Sequence, residues 1–127
     1  MKGFVRDMNA LLDAMDAGEV VACHDCSAGG MGIAIIEMCI GGARGVEITI
    51  PTDLREDIAL FSESNGRWIV QVKPGLEDDF ASRFECATKI GKPSEKIRFH
   101  RKKVLSAELT VEEIREAWEM PIWNRLA

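Results

Sequence analysis

The richest concentration of chemically capable side chains is His24-Asp25-Cys26-Ser27-Ala28-Gly29-Gly30-Met31, which joins one apolar run, Val20 to Cys23, to another that begins at Met31. At a strand-to-helix junction the first N–H groups of the helix lack intrahelical acceptors and carry partial positive charge. Glycines at 29 and 30 leave out the side chains that would hold a phosphate or carboxylate away. Ser27 or Asp25 can cap such a helix, and an aspartate at a strand end can also orient a hydroxyl or a metal-bound water. The same pattern describes a capped tight turn whose glycines serve packing. It is not a P-loop, because no Gly-Lys-Ser/Thr follows. A second polar group, Glu63-Ser64-Asn65 within Leu60 to Gly66, combines an anionic acceptor with two neutral groups suited to a polar ligand. Its plain alternative is a solvated loop entering an Asn-Gly turn.

Two further constellations offer less. Cys23-His24-Asp25-Cys26 is formally C-x-x-C, but Cys23 falls inside the predicted strand rather than at a helix start, where a dithiol would be activated. A zinc site would have to draw on His24, His100, Cys39 and Cys86, without a second paired spacing. Lys96, Arg98, His100, Arg101, Lys102 and Lys103 form a basic run with only Phe99 available to stack on a base. A charged edge strand explains that run more simply than a nucleic-acid reader. His24 and His100 are the only histidines, which leaves little for a nucleophile–His–acid triad.

The elements that must position these groups follow from periodicity. Phe4, Met8, Leu11, Leu12 and Met15 predict a helix that stops at Gly18. Glu19 to His24 predicts a strand buried on both faces, Met31 to Ile40 a helix, Val46 to Ile50 a strand, and Leu54 to Leu60 a short helix. Trp68, Val70 and Val72 share one face of a strand over 67–73. Leu76, Phe80 and Phe84 predict a helix over 75–85, with Glu77, Asp78 and Asp79 at its dipole-positive end. Cys86 to Ile90 is a strand candidate, and Ile97 to Leu105 predicts a hairpin turning at Arg101-Lys102. Thr110 and Glu113 form a capping box for a last helix with Val111, Ile114 and Trp118 inward and Pro121 as its stop. The expected fold is α/β (α+β), a layered sheet of four to five strands with about four helices packed on it. Met31 to Ile40 carries a single charge, Glu37, and therefore needs cover on more than one side. Either the terminal helices wrap it or one flank meets another domain or subunit, as in a homodimer or hetero-complex.

Composition bounds the function. The chain has 127 residues, 46% hydrophobic and 29% charged, which fits one globular domain over 1–127. Sixteen basic against 21 acidic residues give −5, so there is no overall positive field for nucleic acid or an anionic membrane. Arg6, Asp7, Asp13 and Asp16 interrupt any secretory apolar run, and Glu37 interrupts the least polar stretch. A cytoplasmic protein with reduced thiols is expected.

Together, His24 to Gly30, the Ile-rich helix with Glu37-Met38, Leu60 to Arg67, and the closing Glu116-Ala117-Trp118-Glu119-Met120-Pro121-Ile122 resemble phosphoribosylformylglycinamidine synthase. The likeness is to the carboxy-terminal domain of its large, synthetase subunit, within the aminoimidazole ribonucleotide synthetase-like superfamily. The resemblance implies a partly ferredoxin-like layered domain packed against a separate ATP-binding domain. It also implies an ATP-dependent ligase of purine biosynthesis that amidates formylglycinamide ribonucleotide with ammonia from a glutaminase partner. ATP and Mg would belong to the complete enzyme, with no cofactor held by this chain alone, which would then be inactive by itself. Carried over residue by residue, Asp25, Ser27, Gly29, Gly30, Glu63, Ser64 and Asn65 are the ligand- or structure-related positions. None of them is implied to be catalytic or metal-binding. Asn65 departs from the family's Gln and shortens the amide by one methylene. The rivals are a free-standing module for a phosphorylated metabolite at Gly29-Gly30 and a C-x-x-C redox or metal protein.

Overall fold

Helical and strand periodicities alternate along the chain, and the computed structural model realises them in order. The elements are α1 (Lys2–Asp16), β1 (Val20–Asp25), α2 (Gly30–Gly42), β2 (Gly45–Thr49), α3 (Glu56–Phe61), β3 (Trp68–Val72), α4 (Glu77–Ser82), β4 (Gly91–Ser94), β5 (Ile97–Arg101), β6 (Val104–Leu109) and α5 (Val111–Leu126). The structure describes the backbone of residues 2–51 and 53–126 and the side chains of 3–51 and 53–120. The layered α/β class is as expected. The described strands, however, divide between two sheets rather than forming one.

β1 and β3 make an antiparallel ribbon with Cys23 opposite Val70 and Asp25 opposite Trp68. Trp68, Val70 and Val72 lie on one face, as their alternation predicts, and pack against the buried Leu11, Ala14 and Phe80 of α1 and α4. β1 is not buried on both faces. Val21 is 54% exposed, because a register shift between Val20 and Ala22 turns it out of the ladder. The second sheet has the order β4-β2-β5-β6, with β2 and β5 parallel and the outer pairs antiparallel. Ile48, Ile97 and Phe99 project from it into the cluster formed by α2 and by Val111 and Ile114 of α5.

α2 lies at the centre of that cluster, in contact with α3, α5 and the β1–β3 ribbon. The requirement for cover on several sides is therefore met from within this chain. The N-terminal helix takes no part in that cluster; it belongs to the other one. Ile97 is 0% exposed and Ile35 2%, and burying an aliphatic side chain of this size stabilises by about 1.5–3 kcal/mol.

Several expectations need correction. No strand forms over 86–90. β4 begins at Gly91, where a Cβ would stand 2.0 Å from the Glu47 carbonyl oxygen, so only glycine lets this strand approach β2. Pro93 is tolerated because β4 is an edge strand. β5, which carries much of the basic run, is interior and not an edge. The β5–β6 hairpin turns at Lys102 and Lys103, with φ of 46° and 69°, one residue later than expected. α4 is shorter than predicted, although the Phe80 and Phe84 rings still meet at 4.9 Å.

The capping box of α5 forms as expected. Glu113 Oε2 accepts the Thr110 N–H at 2.7 Å, and Thr110 Oγ1 accepts the Glu113 N–H at 3.1 Å. Val111 and Ile114 point inward, but Trp118 is 51% exposed, because the cover that α5 gives α2 ends a turn earlier. The helix also does not stop at Pro121. It continues to Leu126, although an interior proline removes one N–H from the ladder and its ring crowds the carbonyl four residues earlier. Replacing Thr110 with Ala removes a hydroxyl that satisfies an orphan N–H, and should lower stability by about 1 kcal/mol. Urea denaturation checks this, and an unchanged midpoint would contradict the capping assignment.

Candidate functional site

The sequence-predicted positions converge at the N-terminal end of α2. Gly29 and Gly30 both adopt left-handed backbone, with φ of 76° and 66°, and this turns the chain from β1 into the helix. A Cβ on Gly30 would stand 2.5 Å from the Ser62 carbonyl oxygen and 2.8 Å from that of Leu60. At Gly32 a Cβ would lie 3.3 Å from Leu60 Cβ. The glycines therefore allow the C-terminal end of α3 to rest directly on the first turn of α2. That contact brings Leu60 to Gly66 beside His24 to Gly30.

The helix end is occupied by a group that sequence reasoning placed in a ligand cluster. Glu63 Oε1 accepts the Gly29 N–H at 2.8 Å, which sets a carboxylate against the positive end of the α2 dipole. Neither Asp25 nor Ser27 caps α2; the N-cap is Gly29, with no side-chain bond. Instead the Ser27 hydroxyl donates to Asp25 Oδ2. That bond, followed by a bond from the backbone, holds the Asp25 carboxyl below its ordinary range. Ser64 and Asn65 are exposed on the turn, and Ser64 offers its carbonyl oxygen to Arg67 Nε at 3.4 Å.

Three participants were not among the site positions carried over from the sequence. Arg67 donates from Nη2 to the Ser62 carbonyl, and its own carbonyl accepts the Cys26 N–H at 2.9 Å. It therefore ties the loop over 62–66 to the junction that it covers. The His24 ring bridges β1 and α2, with Nδ1 2.7 Å from the Asp25 carbonyl oxygen and Nε2 3.0 Å from Glu37 Oε2. The sole charge of the apolar helix is thus used to hold the junction. Only the lone Glu37 in an apolar run hinted at this, and Arg67 carried no local signal.

The thiols do not form an activated pair. Cys23 packs with the α1 cluster and Cys26 with the α2 cluster. Burial raises both thiols above their ordinary range, the opposite of what a reactive dithiol needs. Cys39, deeper in the core, is pushed up to about 11 for the same reason. Among the described residues no three His, Cys, Asp or Glu side chains are grouped to hold a metal ion. At this junction Asp25 and Glu63 each spend one carboxylate oxygen on a bond within the chain.

The chain matches the family described as AIR synthase related protein, C-terminal domain, over residues 2–100. It is 36% identical over 115 residues to phosphoribosylformylglycinamidine synthase subunit PurL of Thermoanaerobacter pseudethanolicus, covering 85% of this chain and 15% of that protein. The subunit PurL of Methanothrix thermoacetophila is 37% identical over the same shares. Among solved structures, Thermotoga maritima PurL complexed with FGAR superposes with a TM-score of 0.77 at 20% identity, covering 87% of this chain and 20% of that one. The likeness to the structure shows the fold. The chain spans about 15% of the length of these curated relatives.

Ser27→Ala should raise the Asp25 carboxyl toward its ordinary value, since it removes the largest cause of the depression. The sign follows from linkage: a carboxyl held low in the folded state stabilises above its unfolded pKa and loses that contribution as pH falls. Carbon-detected NMR titration of Asp25 measures the shift, and an unmoved midpoint in the variant would contradict the hydroxyl's role.

Proposed function

We infer the function from one premise: the chain belongs to the AIR synthase related protein, C-terminal domain family. On that premise residues 1–127 are a single domain that serves as the carboxy-terminal domain, or as a split subunit, of a phosphoribosylformylglycinamidine synthase. That activity is the ATP-dependent amidation of formylglycinamide ribonucleotide in cytoplasmic purine biosynthesis. The chain is not catalytic alone. ATP and magnesium are held by the remaining synthetase domains, and ammonia comes from a glutaminase subunit. Asp25, Ser27, Gly29, Gly30, Glu63, Ser64 and Asn65 then form the edge of this domain that faces the rest of the enzyme. None of the described helices is long and apolar enough to cross a membrane, in keeping with that setting.

The observation that carries this reading is apolar surface that the chain leaves open. Phe4, Val5, Met8, Leu12 and Met15 are exposed along α1, and Ile58 and Phe61 along α3. Stripes of this kind mark surfaces meant for another protein surface. They lie on helices beside the site rather than on α2, so the proposed partner contact moves from the all-apolar helix to its neighbours. The rival of a free-standing phosphometabolite module is disfavoured, because Glu63 already holds the Gly29 N–H that such a ligand would need.

The purified chain should form no amidine from formylglycinamide ribonucleotide, ATP and ammonia. A synthetase polypeptide lacking this domain should gain activity when the chain is added, and Phe61→Asp should weaken that rescue. Amidine formation by the chain alone, or no rescue by the unaltered chain, would overturn the assignment.

A further inference from the structure

His24 joins two layers of the fold. Its neighbour on β1, Cys23, packs into the cluster of α1 and α4, so strand alternation turns the His24 ring the other way, toward α2. There the ring is partly buried, with 32% of the side chain exposed, and Glu37 across from it is similarly sheltered at 34%. Nδ1 stands 2.7 Å from the Asp25 carbonyl oxygen and Nε2 3.0 Å from Glu37 Oε2. A carbonyl oxygen only accepts, and so does an ionised carboxylate. Each ring nitrogen therefore faces an oxygen that offers it no proton.

A neutral imidazole carries one N–H and one lone pair. With its proton on Nδ1 it keeps the Asp25 carbonyl and turns a lone pair on Glu37. With its proton on Nε2 it keeps Glu37 and turns the lone pair on the carbonyl. Only the imidazolium meets both oxygens with N–H groups. The other groups around the ring do not change this. From β1 itself, Asp25 Oδ1 lies 3.6 Å from Nδ1 and adds negative charge. From β3 the ladder partner is the apolar Ile69. Arg67, ahead of β3, gives its guanidinium to the Ser62 and Ser64 carbonyls, and Arg115 of α5 donates to the Ile40 carbonyl. Glu63, after α3, accepts the Gly29 N–H. The Cys26 thiol is pushed up by burial and so carries no charge near neutral pH.

We propose that His24 and Glu37 form a proton-operated latch between β1 and α2. With both ring nitrogens protonated the latch is closed, and the charge that α2 carries is neutralised against the strand. Loss of one proton sets a lone pair against one of the two oxygens and releases that contact. The end of β1 leads directly into Asp25 to Gly30, so the junction that meets α3 loosens with it. The latch does not rest on the proposed synthase role, and its test involves no catalysis, so either stands if the other fails.

The test is long-range proton–nitrogen NMR of the isotopically labelled chain, which shows which ring nitrogens of His24 carry a proton. At about pH 6.5 a free imidazole is half charged. In the unaltered chain the ratio of charged to neutral His24 should be about threefold higher than in Glu37→Gln. The Gln amide donates to an unprotonated Nε2 and so satisfies the neutral ring, whose proton should then sit on Nδ1, at the Asp25 carbonyl. By linkage, a proton held more tightly by the folded chain stabilises at low pH, and its contribution is lost as pH rises. The urea midpoint should therefore fall further between about pH 6 and about pH 8 in the unaltered chain than in Glu37→Gln. An equal charged fraction in the two chains, a neutral ring protonated on Nε2 in Glu37→Gln, or equal falls in the midpoint would each overturn the proposal.

Discussion

The structure depends on how closely the first turn of α2 approaches the end of α3. α2 is apolar on nearly every side, so it is stable only where neighbours surround it. The four-stranded sheet, α5 and the β1–β3 ribbon supply three of those neighbours. The fourth is α3, whose last carbonyls would meet a Cβ on Gly30 at 2.5 and 2.8 Å. Any other side chain there would push α3 off the helix. The loop that carries Glu63 would move with it, and the Gly29 N–H would lose its carboxylate partner. Core packing and the geometry of the junction are thus one constraint.

Much of this was legible in the sequence wherever the signal is local. The Thr110–Glu113 box, the alternation of Trp68, Val70 and Val72, and the paired glycines before an apolar helix each specify their element within a few residues. What could not be read depends on partners distant in sequence. Glu63 lies 34 residues from Gly29, and no local pattern says that it reaches the helix end in place of Ser27 or Asp25. The basic run around β5 suggests a charged edge until Glu108, Asp53 and Glu47 are seen against it. The strand start at Gly91 depends on the backbone of β2, and Trp118 is exposed because the core ends before it.

The same separation of local from distant explains where the chain expects company. An apolar helix in a sequence suggests an interface, yet α2 finds its cover at home. The surface left open is on α1 and α3, whose exposed Phe4, Leu12, Ile58 and Phe61 each belong to a helix with an inward face already used. An amphipathic pattern reports that a face is apolar without saying which of two candidate faces is filled. The proposed role as one domain of a longer enzyme is what assigns those faces an occupant.

The central claim is that Gly30 is required by a close backbone approach and not by local helix preference. The direct measurement is the unfolding free energy of Gly30→Ala beside Gly41→Ala, since Gly41 has nothing within 4 Å of its Cβ position. Gly30→Ala should destabilise by about 2–4 kcal/mol through strain and displacement of α3. Gly41→Ala should be neutral or stabilise by about 0.5–1 kcal/mol. Equal effects at the two positions would contradict the account.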